Sequence, residues 1–556
     1  MKNLFVLLIA FAALRTQALP AFPGAEGFGS ETPGGRGGKV VFVTTTASRG
    51  AGSLYEAMNT AGPRIVIFRV SGAINLQDAA GGTWYWQSAN FSNVTFAGQT
   101  SPGGVTITGT AEAPFFQYEG TAIHDVIWRH LRFRVETASH SFEDYLTSNV
   151  IIDHCDFSGG TDECVDICRS HDVTIQWSTI CNSGPTGQLY GLLLGYNPFY
   201  DFSIHHNLMA NHIYRYPEVH WSGQTPENNG KIDYRNNFVY NCRDYFFYCD
   251  QETPAASAQF NYVGNYHLAG PLSAKDDWWY HQTQFGSVLT GYEKDNVMVR
   301  GSEVNRTAVS VRIPNRVSTP WPMASVTTDS AMGVYDKILN KVGAWPRDST
   351  NNRTVSEVRT IKGALSEKNA PFLQSSVAAP ADADNDGMPD FWEDGMGLNK
   401  NSAGDGVLDK DNDGYTNVEE YINDLALARI CQDYKNPVYP IPNNWSDYNP
   451  SCCKSMAVEQ SPMPAPHETS LTVFPSVYSG AGTVRIELNP GSGAAVTGSV
   501  SVVDLGGRVR ASLQAGPSLH WNGRDRRGFP LAAGIYLVRW ESGNGLSMQK
   551  RVTVIR

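Results

Sequence analysis

The sequence is short of positive charge. Its 556 residues include 43 lysines and arginines against 54 aspartates and glutamates, which gives a formal net charge of −11. No lysine occurs from Val40 to Gly230. Nucleic-acid binding draws much of its affinity from lysine and arginine contacts with phosphates, so this balance argues against a nucleic-acid partner. An acidic polymer would be repelled as well, unless bound cations intervened.

Long apolar segments are scarce too. Beyond the N-terminus, no segment reaches the roughly 18 consecutive apolar residues of a membrane-spanning helix. Residues 1–18 place Lys2 before the apolar run Leu4–Leu14 and the sequence "RTQA", a pattern typical of a secretory signal peptide. We therefore expect a protein without a transmembrane segment that is secreted, either free or attached to the cell surface.

Cysteine is uncommon, and its number is odd. Nine cysteines fit an oxidising compartment, but an odd number leaves at least one unpaired or paired outside the chain. Cys155 with Cys181, and Cys242 with Cys249, are candidate disulfides. The connectivity stays open at this point, because it cannot be deduced from the sequence alone.

What the sequence does contain is a repeat. Short runs of β-branched and aromatic residues begin at positions 150, 173, 202, 232 and 260, at separations of 23, 29, 30 and 28 residues. The sixth residue of each run is small and polar: Cys155, Ser178, Asn207, Asn237 and Asn265. One strand per repeat with a recurring polar bend predicts a parallel β-helix, whose turns stack about 4.8 Å apart. Residues at equal offsets then form columns on one face.

Composition divides the chain into five regions. We expect a signal peptide over 1–18, an all-β domain over 19–375, calcium-binding loops over 376–430, a linker over 431–470 and a small module over 471–556. The linker is rich in proline, serine and polar residues. Alternating runs such as "TVRIEL" and "GIYLVRW" in the last region are typical of an immunoglobulin-like β-sandwich.

Two copies of one acidic loop lie between the β-rich region and the linker. In "DADNDGMPDFWE" and "DKDNDGYTNVEE", oxygen-bearing side chains occupy positions 1, 3, 5, 9 and 12, and glycine occupies position 6. The ligand positions are Asp382, Asp384, Asp386, Asp390 and Glu393, and then Asp409, Asp411, Asp413, Asn417 and Glu420. Calcium takes about six to eight oxygens, and the glycine permits the sharp turn. The loops are EF-hand-like or thrombospondin type 3-like, and two copies in tandem favour structural calcium sites over a solvated acidic linker.

Further acids follow the first repeat. Asp162 and Asp166 in "TDECVDIC" lie four residues apart, so a β-strand would direct both carboxylates to one side. Such a pair repels unless a cation is bound. Asp144, one repeat earlier, and Glu163 could join it, although a solvated acidic turn is the alternative. Arg215 is expected roughly 10 Å along the β-helix axis from Asp162.

Several motifs, in this order, resemble the pectate lyase superfamily, specifically polysaccharide lyase family 1. They span about 23–363 and read "FPGAEGFG", "GSLYEAM", "FRVSGAINL", "NVTFAGQTSPGG", "NVIIDHCDFSGGTDECVDI", "HHNLMANHIYRYPEV" and "DYRNNFVYN". The resemblance implies a right-handed parallel β-helix that cleaves α-1,4-polygalacturonate by calcium-assisted β-elimination, which yields unsaturated oligogalacturonates. It also implies Ca²⁺ ligands at Asp162 and Asp166, with Asp144 matched loosely. Arg215 matches the arginine that abstracts the C5 proton.

The sequence departs from the family at two positions. A second arginine of the family is replaced by His220, and no lysine occurs near Leu189–Tyr190, where the family often has one. We expect His220 and Lys231 to bind substrate, and Arg235 to join Arg215 in catalysis, because Lys231 or Arg235 could restore the missing charge. Gln176, His205 and Arg235 share a column separate from that of Arg215.

The C-terminal module resembles a bacterial sorting domain, on the motifs "LTVFPSVYSG" and "WNGRDRRGFPLAAGIYLVRW". This resemblance implies that the secretion machinery is a partner. The sequence therefore predicts a secreted, monomeric, calcium-dependent pectate lyase. Two alternatives stay open, namely a pectin lyase acting on methyl-esterified chains and a non-catalytic β-helix that binds polysaccharide. The paired acids disfavour the first, because a neutral ester needs no bridging metal.

Overall fold

The computed structural model describes most of the chain. The described residues are 19–75, 84–86, 88–109, 116–120, 122–135, 138–196, 200–221, 230–244, 246–251, 257–273, 281–283, 288–301, 303–305, 315–365, 377–433, 469–474, 477–478, 483–490, 497, 499–504, 508–516, 518–526, 528–541 and 547–554. The predicted signal peptide and most of the predicted linker lie outside them. The chain divides into two compact units, of which the second contains the C-terminal module.

The first unit contains a parallel β-helix. Its strands are numbered along the chain. Among the described residues, strands β2 to β27 enter three sheets in rotation, so that each of these turns adds one strand to each sheet. The first sheet has 11 strands: β1 (Lys39–Val43), β2 (Arg64–Phe68), β5 (Val94–Ala97), β8 (His124–Arg129), β11 (Ser148–Asp153), β14 (His171–Gln176), β17 (Tyr200–His205), β20 (Gly230–Arg235), β23 (Ser257–Val263), β26 (Val288–Lys294) and β29 (Asn315–Val317). The all-β class and the parallel β-helix predicted from the repeat are confirmed.

The other two sheets follow the same order. The second sheet has 10 strands: β3 (Gly72–Asn75), β6 (Val105–Gly109), β9 (Arg132–Val135), β12 (Asp156–Ser158), β15 (Thr179–Cys181), β18 (Leu208–Ala210), β21 (Phe238–Tyr240), β24 (Tyr266–Leu268), β27 (Val297–Arg300) and β28 (Glu303–Asn305). The third has eight: β4 (Trp84–Trp86), β7 (Phe116–Glu119), β10 (Phe142–Tyr145), β13 (Glu163–Cys168), β16 (Tyr190–Gly195), β19 (Glu218–Trp221), β22 (Phe247–Gln251) and β25 (His281–Thr283). The third sheet supplies the acidic residues of the site.

The recurring polar residues form a hydrogen-bonded ladder at the bend after the first sheet. The side-chain oxygen of each asparagine accepts the backbone N–H of the residue one turn earlier. Asn237 accepts from Asn207 at 3.1 Å, Asn265 from Asn237 at 2.9 Å and Asn296 from Asn265 at 2.9 Å. Asn207 likewise accepts from the N–H of Ser178 at 2.8 Å. The ladder satisfies buried backbone groups that the bend leaves without sheet partners. It extends to Asn296, one turn beyond the predicted column.

Replacing Asn237 with alanine is expected to lower the free energy of unfolding by about 3 kcal/mol, because buried polar groups would lose their hydrogen-bond partners. The amide of Asn237 also donates to the carbonyl of Ile204 at 2.8 Å, so two backbone groups would lose their partners. Urea unfolding followed by circular dichroism measures the change. Asn352→Ala, at an exposed position, is the control and should change stability little. An equal effect of both substitutions would contradict a structural ladder.

Stacked apolar side chains fill the inside of the β-helix. Trp128 stacks on Phe96 with ring centroids 4.1 Å apart, and Phe133 stacks on Phe157 at 5.3 Å. Each of these rings is fully buried within one continuous core. Such columns arise because every strand directs alternate residues inward and successive turns repeat the same offset. The other residues of each strand therefore face outward, away from this core.

In the described part of the chain, five α-helices accompany the strands: α1 (Leu54–Asn59), α2 (Val334–Lys341), α3 (Ser349–Thr360), α4 (Asp390–Met396) and α5 (Asn417–Asp433). Apolar spacing after residue 333 predicts helices against the β-helix, and the structure agrees: the ring of Tyr335 on α2 lies 5.3 Å from that of Phe238. Short 3₁₀ turns occupy Phe28–Glu31, Ala89–Phe91 and Gly98–Thr100. Within the described ranges, no helix is both long and apolar enough to cross a membrane.

The acidic loops belong to the same unit as the β-helix rather than to a separate module. Helices α4 and α5 pack on the outer face of the first sheet. Trp392 and Ile422 share an apolar cluster there with Ile65 and Ile67. The two helices cover the outward positions of the first strands, which explains why those positions are apolar.

The C-terminal module contains two sheets. One holds β30 (Thr469–Phe474), β32 (Val484–Pro490) and β35 (Ser518–Trp521), and the other holds β31 (Val477–Tyr478), β33 (Ser499–Asp504), β34 (Val509–Gln514), β36 (Gly534–Glu541) and β37 (Ser547–Val554). The longer strands pair antiparallel. Val500, Trp521 and Trp540 from both sheets share one core. This architecture agrees with the predicted sandwich.

The predicted disulfides are not formed. Cys155, Cys181 and Cys242 are buried free thiols in the described part of the chain, so neither proposed pair is a disulfide. Cys155 begins the polar bend column, whereas Cys181 ends a strand of the second sheet, so the two occupy different columns. Burial raises the pKa of both thiols above its usual range, which makes them poor nucleophiles.

Candidate active site

Three acidic side chains line up on the outer face of the third sheet. Glu143 on β10 is in register with Asp166 on β13, and the same column reaches Glu218 on β19 after one intervening strand. The strand neighbours of Asp166, Val165 and Ile167, lie in the core. Because strand residues alternate between faces, Asp166 points outward. Register between strands, and not proximity in sequence, brings these carboxylates together.

Two more acids and a histidine extend the group. Asp162 and Glu163 stand at the start of β13, and one ligand atom each from His140, Asp162 and Glu163 lie within 4.8 Å of one another. The Nε2 of His140 is 2.7 Å from a carboxylate oxygen of Glu163 and 4.0 Å from one of Asp166. Its Nδ1 is 3.9 Å from Glu143. His140 therefore lies among carboxylates from two neighbouring turns.

Arg215 lies in the same group. Its guanidinium pairs with the carboxylates of Glu163 and Glu218. It also lies over the ring of Tyr190, 4.1 Å from the centroid, which is a cation–π contact. The sequence places Arg215 farther along the axis, but its long side chain reaches the residue next to Asp162. We refer below to Glu143, Asp162, Glu163, Asp166 and Glu218 as the acidic cluster. Arg215 is the arginine that pairs with it.

The acidic cluster has the properties of a binding site for a hard cation. Burial, and then the charge of Asp166, raise the pKa of Glu143 to about 7. Burial also raises the pKa of Asp166, an effect that His140 partly offsets. Among the described residues, one carboxylate oxygen of Glu143 and one of Asp162 are buried without a hydrogen-bond partner. Clustered oxygens of this kind suit calcium, which prefers carboxylate ligands.

Asp144 is not part of the cluster. It is fully buried, is in register with the core residue Ile167, and accepts hydrogen bonds from Thr147 and Ser170 inside the β-helix. Because adjacent strand residues face opposite sides, Glu143 occupies the outward position instead. The sequence carries the signal that identifies Glu143: it precedes Asp166 by 23 residues, the separation of the first two repeats.

The same offset identifies His140, which precedes Glu163 by 23 residues. Sequence reasoning missed this histidine. It also missed Glu218, which joins the cluster through the register of β16 with β19. At the place of the missing family lysine, the structure has Tyr190, whose ring supports Arg215.

The other predicted site residues lie farther from the cluster. Arg235 belongs to the first sheet, in the predicted column with His205, and pairs with Asp233 at 3.0 Å. Lys231 is on the same strand. The structure does not bring either residue together with the acidic cluster. His220 is closer, because its Nδ1 lies 3.7 Å from a carboxylate oxygen of Glu218.

The acidic loops assemble two further groups. One ligand atom each from Asp384, Asp386, Glu393 and Asp405 lie within 4.8 Å of one another, as do ligand atoms of Asp409, Asp411 and Asp413. Three of the first group and all of the second are predicted ligands, whereas Asp405 is new. The remaining predicted ligands have other contacts: Asp382 pairs with Arg69, Asp390 accepts from the N–H of Ala383, and Asn417 accepts from the N–H of Lys410. Burial raises the pKa of Glu420 to about 7.

Comparison with known proteins supports the same family. No family model matches the chain. The probable pectate lyase C of Aspergillus terreus is 30% identical over 427 residues, which cover 74% of this chain and 94% of that protein. The probable pectate lyase C of Emericella nidulans is 30% identical over 461 residues, which cover 78% and 100%.

Solved structures give weaker similarities. The cedar-pollen allergen Jun a 1 matches with a TM-score of 0.43 at 16% identity, over 58% of this chain and 92% of its own. A Bacillus pectate lyase in complex with trigalacturonate matches with a TM-score of 0.36 at 16% identity, over 58% and 99%. The fold is established by the three parallel sheets themselves. Because the chain is 30% identical to the two fungal proteins and covers nearly all of their length, it belongs to the pectate lyase superfamily and is a polysaccharide lyase of the pectate lyase type.

Proposed function

We propose that the chain is a secreted, calcium-dependent pectate lyase that cleaves α-1,4-polygalacturonate by β-elimination and yields unsaturated oligogalacturonates. One observation carries the proposal: Arg215 lies directly against the acidic cluster on an outward face of the β-helix. A divalent cation held by carboxylates next to a guanidinium would attract a polyanionic substrate more strongly than either positive group alone. A bare acidic surface would repel polygalacturonate.

Glu143, Asp162 and Asp166 are the residues that would hold the calcium ion. Two of them present buried carboxylate oxygens with no hydrogen-bond partner among the described residues. An ion held by these residues would supply positive charge for a uronate carboxylate and Lewis acidity that makes the neighbouring C5–H more acidic. The acidic cluster otherwise acts by positioning, since it fixes where the substrate carboxylate lies relative to Arg215.

Arg215 would remove the C5 proton. The C5–H bond breaks, a C4–C5 double bond forms, the C4–O bond breaks and the departing oxygen takes a proton. An arginine side chain is ordinarily always protonated, and carboxylates such as Glu163 and Glu218 favour its charged form. A basic role therefore requires positive charge nearby, and the acidic cluster is the set of residues that would collect it. The ring of Tyr190 contacts the same guanidinium.

The charge of the substrate distinguishes a pectate lyase from the nearest alternative, a pectin lyase. A methyl-esterified chain is neutral at the carboxyl group and gains nothing from a cation held by an acidic cluster. The cluster therefore favours de-esterified polygalacturonate over methyl-esterified pectin.

We also propose that residues 1–18 direct secretion and that the C-terminal sandwich acts as a sorting domain, which engages the secretion machinery. The motifs given above support this assignment. Fusion of 471–556 to a foreign reporter in a bacterium with such machinery would test it. A reporter that stays inside the cell would contradict the sorting role.

The decisive test of the function is the ultraviolet absorbance of unsaturated product from polygalacturonate, with calcium and then with a chelator. We expect a rise with calcium that chelation removes, and a much smaller rise with fully methyl-esterified pectin. Because chelation would also strip the acidic loops, circular dichroism must show that the protein stays folded. Folded protein that binds the polymer without producing absorbance would favour the binding role.

A further inference from the structure

A second group of carboxylates lies away from the third sheet. Asp384, Asp386, Glu393 and Asp405 converge, with one ligand atom of each within 4.8 Å of the others. Glu393 is fully buried, and neither of its carboxylate oxygens has a hydrogen-bond partner among the described residues. Both oxygens of Asp384, and one each of Asp386 and Asp405, are likewise buried and unpartnered within the described ranges. Four carboxylates with such oxygens are unstable together unless a cation joins them.

This group is not the ligand set of a single loop. Asp382, the first position of the loop, pairs with Arg69 at 2.6 Å and accepts the backbone N–H of Asn385 at 2.7 Å. Asp405 instead comes from the connection between α4 and α5. The group thus takes three ligands from the first loop, the last of which, Glu393, stands on helix α4, and a fourth from the connection that follows the helix.

The connection is tied to the second loop and to α5. The carbonyl of Asp405 accepts from the side-chain amide of Asn417 at 2.7 Å, and the carbonyl of Gly406 accepts from the N–H of Val418 at 3.0 Å. Asn417 and Val418 begin α5. Any cation that fixes Asp405 therefore also fixes the start of α5 relative to α4.

Helices α4 and α5 in turn cover the first strands of the β-helix. Ile65 and Ile67 on β2 and Ala97 on β5 are buried in one apolar cluster with Trp392 and Ile422. Polar contacts flank this cluster. They are the Arg69–Asp382 pair, the bond of Arg129 to Asn423 at 2.8 Å, and the bond of Arg429 to the carbonyl of Gln99 at 2.6 Å. If the helices separated, this outer face of the β-helix would be exposed to water.

We propose that a calcium ion held by Asp384, Asp386, Glu393 and Asp405 fastens the α4–α5 layer to the first strands of the β-helix. This ion stabilises the enzyme and is distinct from the one at the acidic cluster. The inference extends the prediction, made from the loop sequences, that the loops bind calcium, and it does not depend on the elimination chemistry.

The test is thermal unfolding of the full chain, measured by circular dichroism as calcium is titrated. The wild-type Tm is expected to rise on the order of 5 °C at about 100-fold excess over Kd. Glu393→Gln and Asp405→Asn keep the side-chain shape but remove a charge, and each should lose most of that rise. Asp394→Asn removes an exposed charge beside Glu393 and should keep the full rise.

Two further experiments test this inference independently of the proposed function. Asp162→Ala should keep the calcium-dependent rise in Tm even if elimination is lost. Hydrogen exchange of the wild type in chelator should show 390–396 and 417–430 losing protection before the β-helix strands, a result that needs no variant to fold. A wild-type Tm independent of calcium, variants that respond like the wild type, or uniform exchange would each overturn the inference.

Discussion

Arg215→Lys is expected to lower kcat for elimination about 100-fold or more, with KM and the fold nearly unchanged. Loss of a positioned proton-transfer group typically costs about 100- to 10,000-fold. Lysine keeps the positive charge but cannot reproduce the forked guanidinium, which pairs with Glu163 and Glu218 at once. Initial rates of unsaturated product, measured at several polygalacturonate concentrations, separate kcat from KM.

The matched control is Arg359→Lys. Arg359 also pairs with a carboxylate, that of Asp336 at 3.3 Å, but it lies on α3 outside the site. This variant should keep wild-type kinetics. Substantial elimination by Arg215→Lys, with Tm and circular dichroism unchanged, would remove Arg215 as the base.

Asp162→Ala is expected to raise the calcium concentration for half-maximal activity about tenfold or more. The substitution removes a carboxylate whose oxygen is buried and lacks a hydrogen-bond partner among the described residues. Losing one of a few charged oxygen ligands weakens the site, but the other carboxylates remain. Calcium titration of the initial rate gives the shift. Asp172→Ala, which removes a partly exposed carboxylate paired with His171, should leave the titration unchanged.

Two neighbouring residues sharpen this experiment. Glu143→Gln should raise the calcium requirement in the same way, because Glu143 is in register with Asp166. Asp144→Asn should leave that requirement unchanged, since Asp144 faces the interior. If Asp144→Asn alone raised it, or if no titration moved, the cation would lie elsewhere.

The fold could be predicted because its cause is local and repeated. Successive turns place an asparagine at the same bend, so Asn207, Asn237 and Asn265 recur in the sequence at a readable interval. The free cysteines were not foreseen, because a disulfide depends on distances between columns. Cys155 and Cys181 are close in sequence yet occupy different columns.

Only part of the candidate site could be predicted from the sequence. Asp162, Asp166 and Arg215 stand in motifs, whereas Glu143 and Glu218 join them through strand register. Asp144, the loosely matched acid, faces the interior, whereas Glu143, one residue earlier, faces outward, because a shift of one residue exchanges the two faces of a strand. Applying the 23-residue interval backwards from Asp166 would have selected Glu143.

Asp405 could not be predicted from loop spacing at all. That pattern assigns ligands by their position within one loop, whereas Asp405 reaches the first group from the connection that follows α4. Its position depends on how that connection is tied to Asn417. Such a ligand emerges only once the packing of the two helices is known.

The unequal lengths of the repeats have a consequence for how this enzyme can change. Strand separations of 23, 29, 30 and 28 residues leave the ladder and the sheet registers intact, so extra residues are accommodated in the loops between strands. Glu143, Asp166 and Glu218 each come from a different turn. Insertions in a loop can therefore change the surface around the acidic cluster while the register of its strands stays in place. Such a protein can acquire new polysaccharide preferences through insertions and deletions without rebuilding its catalytic centre.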